Sequence, residues 1–157
     1  MSKKKNNKVT EFLNKKASYE YFLTDYFEAG IQLQGTEIKS IRSGHVSLVD
    51  SYCTFDDPST LMVRNLYIKE YEFGTYANHQ PKRPRKLLLK KQELKKLLRR
   101  VKERGNTIVP VKLFINERGF AKLQIALATG KKSHNKRDSI KDKDQRREMD
   151  RIKKGAY

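Results

Sequence analysis

At 157 residues the chain has room for one compact domain with extensions, and not for two comfortable ones. Hydrophobic residues make up 36% of it and charged residues 34%, so part of the chain carries no core. The formal net charge of +18 calls for an anionic partner, and apolar runs such as Leu87-Leu88-Leu89 are far short of the roughly 20 residues that span a bilayer, which speaks against a membrane protein.

The charge comes in blocks. Residues 1–16 hold six Lys and one Glu, and residues 17–81 hold four cations against nine carboxylates. Residues 82–104 reverse the sign with twelve cations against two carboxylates, and residues 130–157 carry eleven against five. Blocks of one sign face phosphate or an acidic membrane surface. No apolar stretch follows the Lys-rich start, so it does not read as a secretory signal. Cys53 is the only cysteine, which leaves no internal disulfide and no cysteine-based metal cluster. The expected compartment is the cytoplasm.

In chain order, residues 1–8 read as a disordered basic arm. Val9 to Lys16 suggests a short helix capped by Thr10, with Phe12 and Leu13 as its apolar grip. Two strands follow: Tyr19, Tyr21 and Leu23 alternate with Glu20, Phe22 and Thr24, and a second run goes from Tyr26 to about Gln34. Gly35 breaks the pattern. Thr36 then caps a helix of about two turns with Ile38 and Ile41 on one face, ended by Gly44. Short strands are expected at Ser51–Phe55 and Leu61–Leu66, joined by the turn formers Asp56-Asp57-Pro58-Ser59, with a weaker one at Ile68–Phe73. Residues 75–85, with two prolines, read as a loop.

Leu94, Leu97, Leu98 and Val101 form the stripe of an amphipathic helix stopped by Gly105, and seven Lys and Arg residues between Lys90 and Lys102 occupy its other faces. Thr107–Ile115 and Phe120–Thr129 make the best hairpin of the chain. Pro110 implies an edge or a bulge in its first strand, and the second points Ala121, Leu123, Ile125 and Leu127 inward with Lys122, Gln124 and Ala126 outward. Beyond Gly130 the sizeable apolar residues are few: Ile140, Met149 and Ile152 before Tyr157. That is too little to offset the ordering entropy, so residues 131–157 are expected to form a tail that is disordered when free. The i, i+4 pairs Asp142/Arg146 and Asp150/Lys154 favour a helix once the tail meets a partner.

Together these elements imply a mainly β protein with added α. The expected form is an antiparallel six-stranded barrel over residues 9–130, of the OB type that binds nucleic acid on an outer face, with two to three helices and a basic C-terminal tail.

Catalytic constellations are sparse. The three histidines stand apart from any metal-ligand spacing, and His45 beside Gly44 reads as a surface turn residue. Asp56-Asp57 before Pro58 reads as a turn, and Cys53 in a strand as a small core residue. No phosphate-cradling glycine motif is present. Neither an enzyme nor a cofactor or metal is expected.

Four stretches carry a more specific signal. They are Asn14-Lys15-Lys16-Ala17 leading to Tyr21; Glu28-Ala29-Gly30-Ile31 with Leu33-Gln34-Gly35-Thr36-Glu37-Ile38-Lys39-Ser40-Ile41-Arg42; Asn78-His79 followed by Arg85-Lys86-Leu87-Leu88-Leu89; and Gly130-Lys131-Lys132-Ser133-His134-Asn135-Lys136-Arg137. In this order and spacing they closely resemble the SsrA-binding, or small protein B, family, from Asn14 to about Lys154. The resemblance implies an OB-like barrel that binds the tRNA-like part of transfer-messenger RNA and enters stalled bacterial ribosomes. The tail would act there in the small-subunit decoding centre and mRNA channel. It also implies a monomer in solution and no membrane.

By the same resemblance, RNA contacts fall at Asn14, Lys15, Lys16, Tyr21, Lys39 and Arg42, then at His79, Arg85, Lys86, Lys131 and Lys132. Glu28, Leu88 and Lys122 match positions linked to binding that RNA. From the residues alone, Lys122 on an outward strand face either meets phosphate or is merely solvated. Leu88 is either core or the one of three leucines that points out, and Glu28 either accepts hydrogen bonds from base or sugar or is a plain surface carboxylate. The tail positions expected to meet the ribosome are His134, Asn135, Lys136, Arg137, Ile140 and Lys141, then Arg146, Arg147, Met149, Arg151, Ile152 and Lys153. Asn135 stands where the family has Asp, and Lys153 replaces one of an apolar pair. Two other readings compete: a ribosomal or other structural RNA-binding protein, and a chaperone of single-stranded RNA, which needs exposed aromatics for stacking.

Overall fold

The computed structural model describes residues 10–103, 105–131, 144–149 and 151. Nine strands and three α-helices occur among them: β1 (Glu11–Leu13), α1 (Lys15–Glu20), β2 (Tyr21–Ile31), α2 (Gly35–Arg42), β3 (Val46–Ser47), β4 (Tyr52–Asp57), β5 (Thr60–Arg64), β6 (Tyr67–Ile68), β7 (Arg85–Leu88), α3 (Lys91–Val101), β8 (Asn106–Ile115) and β9 (Ala121–Gly130). A 3-10 turn covers Thr75–Ala77, and residues 144–149 are helical as well. The sheet runs β8-β4-β5-β7-β2-β9, and β9 pairs back onto β8, so six antiparallel strands close a ring. Closure removes the open edges that would otherwise invite further pairing. β1 pairs with β8 at Lys112–Phe114, beyond the contact of β8 with β4 at Ile108, and β3 pairs with β6 in a separate ribbon.

The interior is filled by Leu61, Val63, Leu87, Ile108, Leu113, Leu123 and Ile125, each at most 2% exposed, and Ile41 of α2 and Leu97 of α3 join them. Cys53 lies in the same core, where burial pushes its thiol far up out of the reactive range.

Local chemistry moves several boundaries away from the sequence expectation. The first helix begins after Asn14, not at Thr10, because the Asn14 side chain accepts the Ala17 N–H. Glu11 to Leu13 is drawn onto β8 instead of into the helix. The two strands expected at Tyr19–Thr24 and Tyr26–Gln34 are one strand, β2, interrupted at Asp25, where the pairing with β9 slips by one residue and φ is 48°. A one-residue bulge flips every later side chain to the other face. Tyr21 and Leu23 therefore face α1, Tyr26 is half exposed, and Phe27, Ala29 and Ile31 turn into the barrel core.

The second helix starts after Gln34, whose N–H donates to Glu37 at 3.0 Å, while the Thr36 hydroxyl is engaged by His79. It ends at Gly44, whose φ of 83° suits a residue without a Cβ. Arg85, expected in a loop, opens β7. The bulge expected at Pro110 is present: register with β9 shifts between Pro110 and Lys112. Ala126 lies on the outward face as expected but is fully buried, as is its neighbour Ala128, which packs with Ala17 of α1 and Val109.

Candidate RNA interface

Gly30 of β2 sits opposite Leu88 of β7 on one side and Lys122 of β9 on the other. The row continues through Phe114 of β8 to Glu11 of β1. One step along the strands, Glu28 faces Gln124, which faces Lys112. Alternation points both rows away from the core, whose side is taken by Leu87, Leu123 and Ile125.

Leu88 is 53% exposed, so within the triple leucine Leu87 takes the core position and Leu88 the outward one. Gly30 permits this approach, since a Cβ there would stand 3.2 Å from the Leu88 Cβ. The result is a shallow outer face with an apolar knob, Leu88, two carboxylates, Glu28 and Glu11, and two ammonium groups, Lys122 and Lys112, within neighbouring pairs. The Lys112 ammonium lies 5.2 Å over the Phe114 ring and 3.5 Å from the Glu11 carboxylate. Among the described residues, Glu28 has no hydrogen-bond or ion-pair partner, which leaves its carboxylate free to accept from a ligand.

Around this face the other expected contacts divide. Lys15 and Lys86 are exposed. Lys16 is exposed too, but its ammonium lies 2.8 Å from Asp50 and 3.8 Å from Glu20, and the hydrogen bond to Asp50 raises its pKa above 10.5. Tyr21 is half-buried beneath α1. Lys39 lies 5.2 Å over the Tyr71 ring, and Arg42 donates to the Gly119 carbonyl at 3.4 Å. Lys131 donates to the Ser18 carbonyl at 3.1 Å and sits 5.2 Å over the Phe22 ring.

Three expected RNA contacts are corrected by burial. Asn14 is 7% exposed and spends its side chain on the Pro110 carbonyl and the Ala17 N–H. His79 is 3% exposed: Nε2 donates to the Ile68 carbonyl at 2.9 Å, which leaves Nδ1 to accept the Thr36 hydroxyl at 2.8 Å. Arg85 is fully buried, bonded to the Glu37 carboxylate and to the carbonyls of Leu66 (2.7 Å) and Pro81 (3.1 Å). None of the three presents a polar atom to an RNA; each ties loops to the barrel.

Glu37, also fully buried, is the hub of that tie, holding Arg83 and Arg85 together. Burial alone would raise its pKa, but hydrogen bonds from Arg83, the Gln34 backbone and Arg85 outweigh it and hold the carboxyl below 4.5. The sequence signals for this hub were its place three residues after Gln34 at a helix start, and two arginines flanking Pro84; nothing in the spacing said they would meet.

Among the tail positions, Arg146, Arg147, Met149 and Arg151 are exposed on helical residues. Lys132, His134, Asn135, Lys136, Arg137, Ile140, Lys141, Ile152 and Lys153 lie outside the described residues, as do the basic arm, the pair Asp150/Lys154 and Asp142 of the pair Asp142/Arg146. No described helix is long and apolar enough to cross a membrane.

Known proteins resemble this chain in sequence and fold. A solved chain from work on tmRNA–SmpB and the centre of the bacterial ribosome superposes with a TM-score of 0.67 at 48% identity, covering 79% of this chain and 86% of that one. An SsrA-binding protein of Phocaeicola vulgatus is 58% identical over 88% of this chain and 92% of its own length. One from Parabacteroides distasonis is 54% identical over 96% and 97%, and one from Bartonella henselae is 46% identical over 98% of both. The family model described as SmpB protein matches residues 11–155, and the chain belongs to that family.

Proposed function

We propose that this protein binds the tRNA-like part of transfer-messenger RNA on the outer barrel face around Gly30 and carries it to stalled ribosomes in the bacterial cytoplasm. The observation that carries the reading is convergence: Glu28, Leu88 and Lys122, far apart in sequence, flank one glycine on three adjacent strands. Each supplies a different contact. Lys122 neutralises a phosphate, Leu88 packs on a ribose or base, and Glu28 accepts from donors such as the 2′-hydroxyl, which DNA lacks. The relatives' name, SsrA-binding protein, supports the partner, and the solved tmRNA–SmpB work supports the ribosome as destination.

In this reading the protein acts as a monomeric adaptor that catalyses no reaction and needs no cofactor. The segment from residue 131 onward, rich in Lys and Arg, works in the decoding centre and mRNA channel. Recovery of the tagged protein from growing cells tests the assignment. One dominant co-purifying species, transfer-messenger RNA, is expected; bulk ribosomal RNA without it would support a ribosomal or other structural RNA-binding protein instead.

A further inference from the structure

The third helix carries more positive charge than its fold requires. From Lys91 to Lys102 there are six cations and one carboxylate, Glu93. At 3.6 residues per turn, Lys91, Lys95, Arg99 and Lys102 fall within an arc of about 80° and extend over about 16 Å. All four are exposed. Their spacings of four, four and three place like charges side by side, which destabilises a helix.

The cations off this stripe are engaged: Arg100 reaches Asp25 at 3.9 Å, and Lys96 lies 5.7 Å over the Phe27 ring. Those on it have no hydrogen-bond, ion-pair or ring partner among the described residues. Leu97 and its flanking apolar residues already anchor the helix to the core, so the stripe adds nothing to folding. An uncompensated ladder of charge on a rigid rod is complementary to a regular array of anions. The stripe contains no aromatic side chain on which a base could stack, so it fits phosphates and not unpaired bases. It also begins three residues after Leu88, at the border of the barrel face.

We propose that Lys91, Lys95 and Arg99 of α3, with Lys102 at its C-cap, form a docking rail for the phosphate backbone of helical RNA, extending the barrel face's grip along the same transfer-messenger RNA molecule. This rests on the function proposed above. The rail supplies sequence-independent affinity and fixes the direction of the RNA, whereas the Gly30 patch supplies the contacts specific to its shape.

The test is the salt dependence of binding between the full chain and a transcript of the tRNA-like domain. Lys95→Gln with Arg99→Gln removes two phosphate contacts, so the log–log slope should flatten by about 1.5 and affinity should fall. The melting temperature should stay level or rise, because repulsion within the helix is relieved. Gln92→Lys widens the rail by one exposed position and should bind more tightly with a steeper slope, which covers the case in which the double variant folds poorly. An unchanged slope in the double variant, no gain from Gln92→Lys, or a loss confined to ribosome binding would each overturn the rail. If the unaltered protein failed to bind this transcript, the proposed function itself would fall; if it binds and only these variants behave like it, the rail alone does.

Discussion

Glu28 and Lys122 both neighbour Gly30, one along β2 and the other across on β9, and the proposed function has them act on RNA through different physics. Lys122 displaces counterions when its ammonium meets phosphate, so its effect depends on salt. Glu28 releases none, and its contribution is a set of hydrogen bonds whose donors must be in place. Lys122→Ala should therefore weaken binding and flatten the log–log salt slope by about 0.7 to 0.9, while Glu28→Ala weakens binding at every salt concentration with the slope unchanged. Binding titrations across a salt series read both. Tighter binding by Glu28→Ala would mean that the carboxylate only repels phosphate. The outward placing of Lys122 was legible from strand alternation. That of Leu88 was open, because three consecutive leucines fit either parity, and pairing with Gly30 decides it. The burial of Asn14, His79 and Arg85 is not legible in the sequence, because a polar residue inside a basic motif looks the same whether it meets RNA or a buried carbonyl.

Among the elements, α2 depends on a buried ion cluster to stay on the barrel. Glu37 accepts from Arg83 and Arg85, and Arg85 also spans to the Leu66 and Pro81 carbonyls, so one carboxylate fixes a helix, a strand start and a loop. Glu37→Gln keeps the shape but leaves Arg85 without its counter-charge, which should cost about 3–5 kcal/mol near neutral pH. The folded-state pKa of Glu37 is depressed. Its contribution is therefore fully present above pH 4.5, the ordinary value, and is lost as pH falls through the lower folded-state value. In urea unfolding, the stability gap between the two proteins should close as the buffer is taken from pH 7 down through this window. A gap constant to pH 3 would contradict the account.

The same scale shows why element types were more legible than their ends. The α3 apolar stripe and the β8–β9 hairpin are long and periodic, and they stand where the pattern puts them. The bulge at Asp25 breaks a period of two in mid-strand, which a sequence reader sees as two strands.

For the whole molecule, closure of six strands into a ring gathers residues from β2, β7 and β9 onto one outer face, and that gathering is what sequence spacing alone could not supply. Composition marks where the core ends: the apolar residues that build it stop near the end of β9, while the positive charge continues. The central claim is that the barrel with α3 grips the RNA and the segment beyond it works on the ribosome. Truncation after Gly130 tests this most directly, with affinity for the tRNA-like transcript and rescue of stalled ribosomes measured on the same preparation. The account predicts that most of the affinity remains and that rescue is lost. Loss of RNA binding with rescue partly intact would contradict it.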